Sequence, residues 1–142
     1  MTKFTWKMTI AAATLMVAAG AASAQDLKAE IPFTFRAGGK TMAAGEYRVT
    51  MISPRTGGFP VYRISDGHQT ALLMASDSHE AKREWLKSGV PVLAFQCGES
   101  RCSLTQLYSG GATPTYKFLD PSRGKDEPTH TTYVVMRPHT GD

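Results

Sequence analysis

The stretch FPVYRISDGHQTALLMAS, at residues 59–76, decides the fold class of this 142-residue chain. Apolar and polar side chains alternate on both sides of its central Asp-Gly dipeptide, at residues 66–67, and a period of two is typical of half-buried β-strands. An Asp-Gly pair between two such runs is the strongest short-range signal for a β-hairpin with a two-residue type I′ turn. We therefore predict a hairpin in which Val61 faces Leu72.

Strand-like patterns continue along the chain on both sides of this hairpin, and turns that contain Gly, Pro or Ser separate them. The predicted strands outside the hairpin are AEIPFTF (29–35), AAGEYRVTMI (43–52), VPVLAFQC (90–97), CSLTQLYS (102–109), TYKFLD (115–120) and HTTYVVMRP (130–138). Because Pro32 has no backbone N–H, we expect the first of these to be an edge strand or the start of a strand.

Helical signals occur in the stretch DSHEAKREWLKSG, at residues 77–89. Asp77 is a suitable N-cap, Glu80 follows three residues later, and Gly89 is suited to end a helix. We predict one short helix that covers an open edge or end of the sheet. Seven or eight short strands with one such helix predict an all-β fold, either a small antiparallel sandwich or a barrel.

The two cysteines, Cys97 and Cys102, flank a predicted four-residue turn, GESR. If the flanking strands form a hairpin, the cysteines face each other at its mouth, at a separation that a disulfide bridges. A redox dithiol usually has a C-x-x-C motif, which is absent, and a zinc site needs two further ligands. We predict a structural disulfide, and the alternative is two free buried thiols in a chain that is not exported.

The N-terminal residues have the pattern of a secretory signal peptide. Lys3 and Lys7 precede an uncharged apolar run at residues 8–19, and Ala22 and Ala24 occupy the two positions that a signal peptidase reads. A helix of that run spans about 18 Å, against about 30 Å for a hydrocarbon core, so a membrane anchor is the weaker interpretation. The predicted organisation is a signal peptide at 1–24 and a single β-rich domain at 25–142.

Composition and motifs argue against several classes of function. Without Lys3 and Lys7, 14 of the 16 basic residues remain against 12 acidic ones, a net charge of +2. The basic residues are scattered with no aromatic-basic cluster, which argues against a nucleic-acid partner. The four histidines show no metal-ligand spacing, and no nucleophile elbow, dinucleotide fingerprint or Walker loop is present. The chain thus has no catalytic, cofactor or metal motif.

The stretch IPFTFRAGGKTMAAGEYRV, at residues 31–49, resembles a family of small exported proteins that are common in acidobacterial genomes. The family pattern is Pro-Phe-x-Phe followed by Gly-Gly-Lys-x-x-x-Ala-Gly-x-Tyr-x-Val. The matching positions are Pro32, Phe33, Phe35, Gly38, Gly39, Lys40, Ala44, Gly45, Tyr47 and Val49. The resemblance covers roughly residues 30–108 and implies export and a β-rich domain, with no catalytic residue. The chain departs from the family near its end, where relatives carry a charged helix-like tail and residues 129–138 have a strand pattern.

These observations predict a non-catalytic β domain, exported to the periplasm or the medium, that acts by surface contacts with an envelope or extracellular partner. They imply no cofactor and no membrane span after signal cleavage. The alternative function is binding of a small hydrophobic ligand, which requires a cavity inside the sandwich or barrel. A small hydrolase is a third class, and it requires a cleft where acid, base or histidine side chains converge.

Overall fold

A computed structural model describes residues 26–53, 58–119 and 129–139, and it is mostly β with one short helix, so the predicted all-β class is confirmed. The predicted signal peptide lies outside the described residues. The strands are β1 (Leu27–Ile31), β2 (Phe35–Ala37), β3 (Lys40–Met42), β4 (Gly45–Ser53), β5 (Val61–Ser65), β6 (Thr70–His79), β7 (Val92–Cys97), β8 (Cys102–Tyr108), β9 (Thr115–Phe118), β10 (His130–Val135) and β11 (Arg137–Pro138). The helix is α1 (Arg83–Ser88).

The strands are arranged in two layers that share strand β6. Sheet 1 has the order β11-β1-β4-β5-β6, and sheet 2 has the order β6-β9-β8-β7-β10. Residues 70–74 of β6 pair with β5, and residues 75–79 pair with β9, with a register shift between Ala75 and Asp77. The β2–β3 hairpin attaches to sheet 2 through a parallel pairing of β2 with β8, while the other pairings are antiparallel. β6 therefore forms one corner between the layers.

The C-terminal ribbon forms the second corner. β10 pairs with β7 at the end of sheet 2, and β11 pairs with β1 at the end of sheet 1. Only the buried Met136 separates these two strands. Nine strands follow one another along this path of pairings, whose two ends, β10 and β11, are consecutive in the chain. The β1–β11 pairing joins only Leu27 with Pro138 and Lys28 with Arg137. The fold is a sandwich-like barrel whose final pairing is short.

The core between the two sheets is filled by large side chains. Phe35, from β2, meets the Tyr47 ring edge-on at 5.3 Å and the Phe95 ring at 5.5 Å, measured between ring centroids. The Phe33 ring also contacts Phe95, at 5.0 Å. Burial of the Tyr62 ring in the same core raises the pKa of its hydroxyl to about 12, and the neighbouring Ser109 hydroxyl offsets part of this rise. The aromatic positions of residues 31–49 are thus core positions.

The predicted strand at residues 29–35 is interrupted. β1 ends at Ile31 and β2 begins at Phe35, because Pro32 has no N–H to continue the ladder. The expectation of an edge strand holds only in part: β4 pairs with all of β1, whereas β11 pairs with Leu27 and Lys28 alone on the other side. Pro32 instead ends β1, and the chain crosses to β2, which pairs with β8 of sheet 2.

The β5–β6 hairpin forms, but its predicted register is wrong by two residues. Val61 pairs with Met74, and a four-residue loop replaces the two-residue turn. A type I′ turn needs positive φ at both central residues, and here only Gly67 has it, with φ 95°. The Asp66 carboxylate accepts hydrogen bonds from the backbone N–H groups of His68 and Gln69, at 2.8 and 2.7 Å. This side-chain turn stabilises the longer loop.

The predicted helix is shorter than its sequence signals indicate. Residues 77–79 remain in β6, where Asp77 pairs with Lys117 of β9, so Asp77 is not the N-cap. Lys82 occupies the N-cap position without a side-chain cap, whereas Gly89 ends the helix in the left-handed conformation as predicted. Pairing of the strand with β9 thus overrides the local capping signal.

The cysteine hairpin has the predicted form. Cys97 and Cys102 are paired positions of β7 and β8, their Cα atoms are 4.0 Å apart, and their Sγ atoms lie at disulfide-bonding distance. The turn between them is closed by a 2.8 Å hydrogen bond from the Gly98 N–H to the Arg101 carbonyl oxygen. The disulfide therefore fastens the hairpin at the turn.

Candidate functional site

The two sheets expose different outer faces. On sheet 2, helix α1 lies over β7 and β8, and we call this region the covered face. Val92 and Tyr108 point outward here and are buried in a small cluster with Ala81 and Trp85. The Trp85 ring stacks on Tyr108 with the ring centroids 5.7 Å apart. This cluster is a second, smaller apolar core outside the barrel.

A lysine completes the covered face. Lys82 Nζ lies 4.7 Å from the centroid of the Tyr133 ring and 5.3 Å from that of Trp85, within the range of cation–π contacts. The same ammonium donates a hydrogen bond to the Tyr133 hydroxyl. The Trp85 and Tyr133 rings also contact each other edge-on at 5.6 Å. The helix is thus attached to β10 as well as to β7 and β8.

On sheet 1, the outward side chains of β1, β4, β5 and residues 70–74 of β6 form what we call the uncovered face. Glu46, Arg48 and Arg63 are exposed in its charged part. Leu72 and Met74 are 47% and 66% exposed in its apolar part. Their inward neighbours on the same strands are buried, so this face arises directly from the alternation of the strands.

A polar cleft of about 640 Å³ lies in the charged part of the uncovered face. β1, β4 and β5 supply most of its lining, and the loop after β5, the first residue of β6 and the residue after β11 complete it. Its charged or titratable lining residues are Lys28, Glu46, Arg48, Arg63, Asp66 and His139. Residues up to 111 positions apart in sequence therefore meet here, because antiparallel pairing brings Lys28 beside Arg48 and Arg48 beside Ser65.

Ion pairs connect the strands at one side of the cleft. Lys28 Nζ lies 3.1 Å from Glu46 Oε2, and Arg137 Nη2 lies 4.0 Å from the same oxygen. Arg48 Nε lies 3.9 Å from Asp26 Oδ2, and Arg48 Nη2 lies 2.9 Å from His139 Nε2. An arginine only donates hydrogen bonds, so His139 Nε2 is the acceptor in this contact.

Two further groups at the cleft have shifted pKa values. Backbone hydrogen bonds, first from Gln69 and then from His68, lower the pKa of the exposed Asp66 carboxyl. Burial, and secondarily the negative charge of Asp66, raises the pKa of the Tyr47 hydroxyl, which donates a 2.6 Å hydrogen bond to the Ala43 carbonyl oxygen. The Asp66 carboxyl therefore stays ionised to a lower pH than an ordinary aspartate, and the Tyr47 hydroxyl keeps its proton.

Arg63 differs from the other two cations of the cleft. Its side chain is exposed on β5, opposite Thr50 of β4 and Leu72 of β6. Within the described chain, no acidic oxygen lies within 4.0 Å of its guanidinium, and no protein acceptor takes a hydrogen bond from it.

Sequence reasoning missed this cleft, since only the outward polar positions of the predicted strands indicated where charges would lie.

The four histidines lie in four different parts of the fold. His68 lies in the β5–β6 loop, His79 ends β6, His130 begins β10, and His139 lies beside Arg48. Across residues 26–53, 58–119 and 129–139, no group of three His, Cys, Asp or Glu side chains is arranged to hold a metal ion.

A second concavity, of about 360 Å³, lies on the surface where β1 ends and β4 begins. Ile31, Pro32, Ala44 and Gly45 line it together with two glutamates. It opens to the outside, as does the polar cleft, whereas the space between the sheets is occupied by core side chains such as Phe35 and Phe95. These concavities therefore offer surface sites, not an internal chamber.

Helices of the described segments are too short or too polar to cross a lipid bilayer. Comparison with known proteins adds no relative: no protein-family model matches the chain, and no curated protein or solved structure matches it significantly.

Proposed function

We propose that this chain is an exported, non-catalytic β domain that acts by surface contacts, and that the uncovered face is its contact surface. The asymmetry of the two outer faces carries this proposal. Sheet 2 buries the outward Val92 and Tyr108 against Trp85, although Tyr133 and Val135 of β10 stay exposed. Sheet 1 exposes Leu72 and Met74 directly beside a charged cleft. Adjacent exposed apolar and charged side chains are typical of protein interaction sites.

Export to the periplasm or the medium is supported by three features. The Cys97–Cys102 pair lies at disulfide distance, and disulfides persist in oxidising compartments. The N-terminal residues have the pattern of a signal peptide, and the stretch at 31–49 resembles exported proteins. The partner is accordingly an envelope or extracellular molecule.

Binding of a hydrophobic ligand has less support. Such a ligand needs an apolar cavity, and the interior positions hold large, nearly fully buried side chains such as Tyr47, Phe35 and Phe95. The larger concavity is instead lined by charged residues. A hydrolase has less support still: the cleft is lined by Glu46, Asp66 and His139, but each already has a partner on the protein.

Site-specific photo-crosslinking tests the contact surface. A benzophenone amino acid at Met74 samples the uncovered face, and the same residue at Val135 is a matched control on β10, since the native side chains are 66% and 62% exposed. We expect a defined partner to be labelled from Met74 and not from Val135 in envelope or culture fractions. An excess of unmodified protein should reduce the labelling of the partner from Met74, and an excess of the double variant Leu72→Glu/Met74→Glu should not. Equal labelling from both positions would contradict the proposal.

A further inference from the structure

We infer that the cleft of the uncovered face binds an oxyanion, a carboxylate or phosphate group carried by a polar ligand. This inference rests on the proposed function, because it specifies what the contact surface recognises. Three cationic side chains and two acidic ones line the cleft, so its formal charge without His139 is 3 − 2 = +1. A small excess of positive charge does not by itself make a site, and the arrangement of the partners is the stronger argument.

The two acidic side chains already have partners on the protein. Glu46 lies 3.1 Å from Lys28 Nζ, so one cation neutralises it. The Asp66 carboxylate accepts two backbone hydrogen bonds from its own loop, at 2.7 and 2.8 Å. Neither carboxylate is therefore a partner of Arg63, and the repulsion that both exert on an incoming anion is reduced by the groups that they already bind.

The remaining cations offer donors without matching acceptors. Arg63 has no acidic or hydrogen-bonding partner among the described residues. Arg48 has only a long contact with Asp26, at 3.9 Å, in addition to its hydrogen bond to His139. Arg48 pairs across the ladder with Ser65, two residues after Arg63 on the same strand, so the two guanidinium groups stand on neighbouring strands of one face. Planar guanidinium groups match the geometry of carboxylate and phosphate oxygens.

A hydroxyl group adds a further donor. Ser65 Oγ accepts hydrogen bonds from the Gly67 N–H at 3.1 Å and from Thr70 Oγ1 at 3.0 Å. A serine hydroxyl accepts two hydrogen bonds and donates one, so the Ser65 proton is left to donate into the cleft that this residue lines. The cleft therefore presents donors from Arg48, Arg63 and Ser65, which suits a negatively charged oxygen acceptor.

The shape of the cleft limits the ligand further. About 640 Å³ is enough for one or two sugar-sized units, and the cleft is open to solvent on one side. The aromatic residue in its lining, Tyr47, is only 1% exposed and provides no stacking surface. Recognition thus depends on charge and hydrogen bonding, and we expect binding to weaken as ionic strength rises.

Calorimetric titration of the purified protein with three probes tests the inference. Trigalacturonate supplies carboxylates, inorganic phosphate supplies the alternative oxyanion, and galactotriose is a neutral saccharide of the size of the first probe. We expect binding of at least one anionic probe and none of galactotriose. Binding of trigalacturonate alone identifies a carboxylate site, and binding of phosphate alone identifies a phosphate site. Equal binding of galactotriose and trigalacturonate would overturn the inference.

Variants connect binding to the cleft. Arg63→Gln should weaken binding of the anionic probe about tenfold or more, as expected for loss of a charge-assisted hydrogen bond. Arg101→Gln removes the same charge from the exposed β7–β8 turn, outside the cleft lining, and should leave affinity unchanged. Equal losses in both variants would indicate non-specific charge attraction and would overturn the inference. Both substitutions are at exposed positions, and thermal denaturation checks that the fold is retained.

The two proposals fail in different ways. If Arg63→Gln leaves crosslinking from Met74 intact and no anionic probe binds, the inference is wrong and the contact surface remains. If an anionic probe binds through Arg63 but crosslinking from Met74 and Val135 is equal, the oxyanion site remains and the wider contact surface is wrong.

Discussion

The outer faces of the two sheets differ, although their inner faces share one core. On the covered face, Tyr108 is fully buried beneath Trp85, while Tyr133 and Val135 of β10 remain exposed at the end of the sheet. On the uncovered face, the corresponding outward positions hold charged residues and the exposed Leu72 and Met74. The comparison teaches that strand alternation alone does not decide what an outer face does, since Trp85 of a six-residue helix buries two outward side chains of sheet 2, Val92 and Tyr108.

The largest expected effect is a difference in unfolding free energy between a variant on the covered face and one on the uncovered face. Tyr108→Ala should lower the free energy of unfolding by about 4 kcal/mol, because it removes a buried ring and leaves a cavity under Trp85. Leu72→Ala should cost less than about 1 kcal/mol, because Leu72 is 47% exposed. Urea denaturation followed by far-UV circular dichroism measures both. Similar losses in the two variants would show that the uncovered face is covered in solution.

The two long hairpins extend the comparison. The β7–β8 hairpin has a covalent link at its turn, whereas hydrogen bonds to Asp66 hold the β5–β6 loop. Closure of so short a loop is worth about 2 kcal/mol in the chain-entropy model, so Cys97→Ala/Cys102→Ala should lose about that amount. The loss should match the one seen when the native protein is reduced with dithiothreitol. Unchanged stability in the double variant would show that hydrogen bonding alone fixes this hairpin.

The smallest expected effect concerns pH and the β5–β6 loop. Backbone hydrogen bonds lower the pKa of Asp66 from its ordinary value of 3.8, so the folded state favours the ionised carboxylate. A carboxyl whose pKa is lower in the folded state than in the unfolded state stabilises the fold at pH values above its unfolded-state pKa. This stabilisation is lost as the pH falls through the folded-state pKa. Asp66→Asn keeps an acceptor oxygen and does not titrate. Its stability relative to the native protein should therefore improve as the pH falls from about 5 to about 2.

Chemical denaturation at several pH values measures this difference. Asp77→Asn is a suitable control, because Asp77 is an exposed residue of β6 whose carboxylate accepts a hydrogen bond from the Ser78 N–H. A pH-independent difference between Asp66→Asn and the native protein would show that the loop hydrogen bonds do not favour the charged carboxylate.

Local signals predicted the parts of the fold that depend on neighbouring residues. The alternation at residues 43–52 identified β4, and glycines allow the turn between β2 and β3, where Gly38 and Gly39 have φ of 58° and 81°. The cysteine pair was predictable because five positions separate its members across one hairpin.

Two predictions from local signals were wrong, and the reason is identifiable in each case. The Asp-Gly dipeptide predicted a two-residue turn, but the Asp66 side chain bonds the backbone of a longer loop. The capping signal at Asp77 lost to pairing with Lys117, which is distant in sequence. In both cases a competing hydrogen-bond partner, absent from the local pattern, determined the conformation.

The amino-acid sequence alone determined that the chain forms short amphipathic strands and which cysteines meet. These properties depend on side-chain periodicity and on contacts between residues a few positions apart. Only the tertiary structure decided that β10 and β11 join the ends of the two sheets, and that Lys28, Arg48 and Arg63 share one outer face with His139. Such placements depend on the register of non-local strand pairs, where a shift of a single residue moves every side chain to the opposite face.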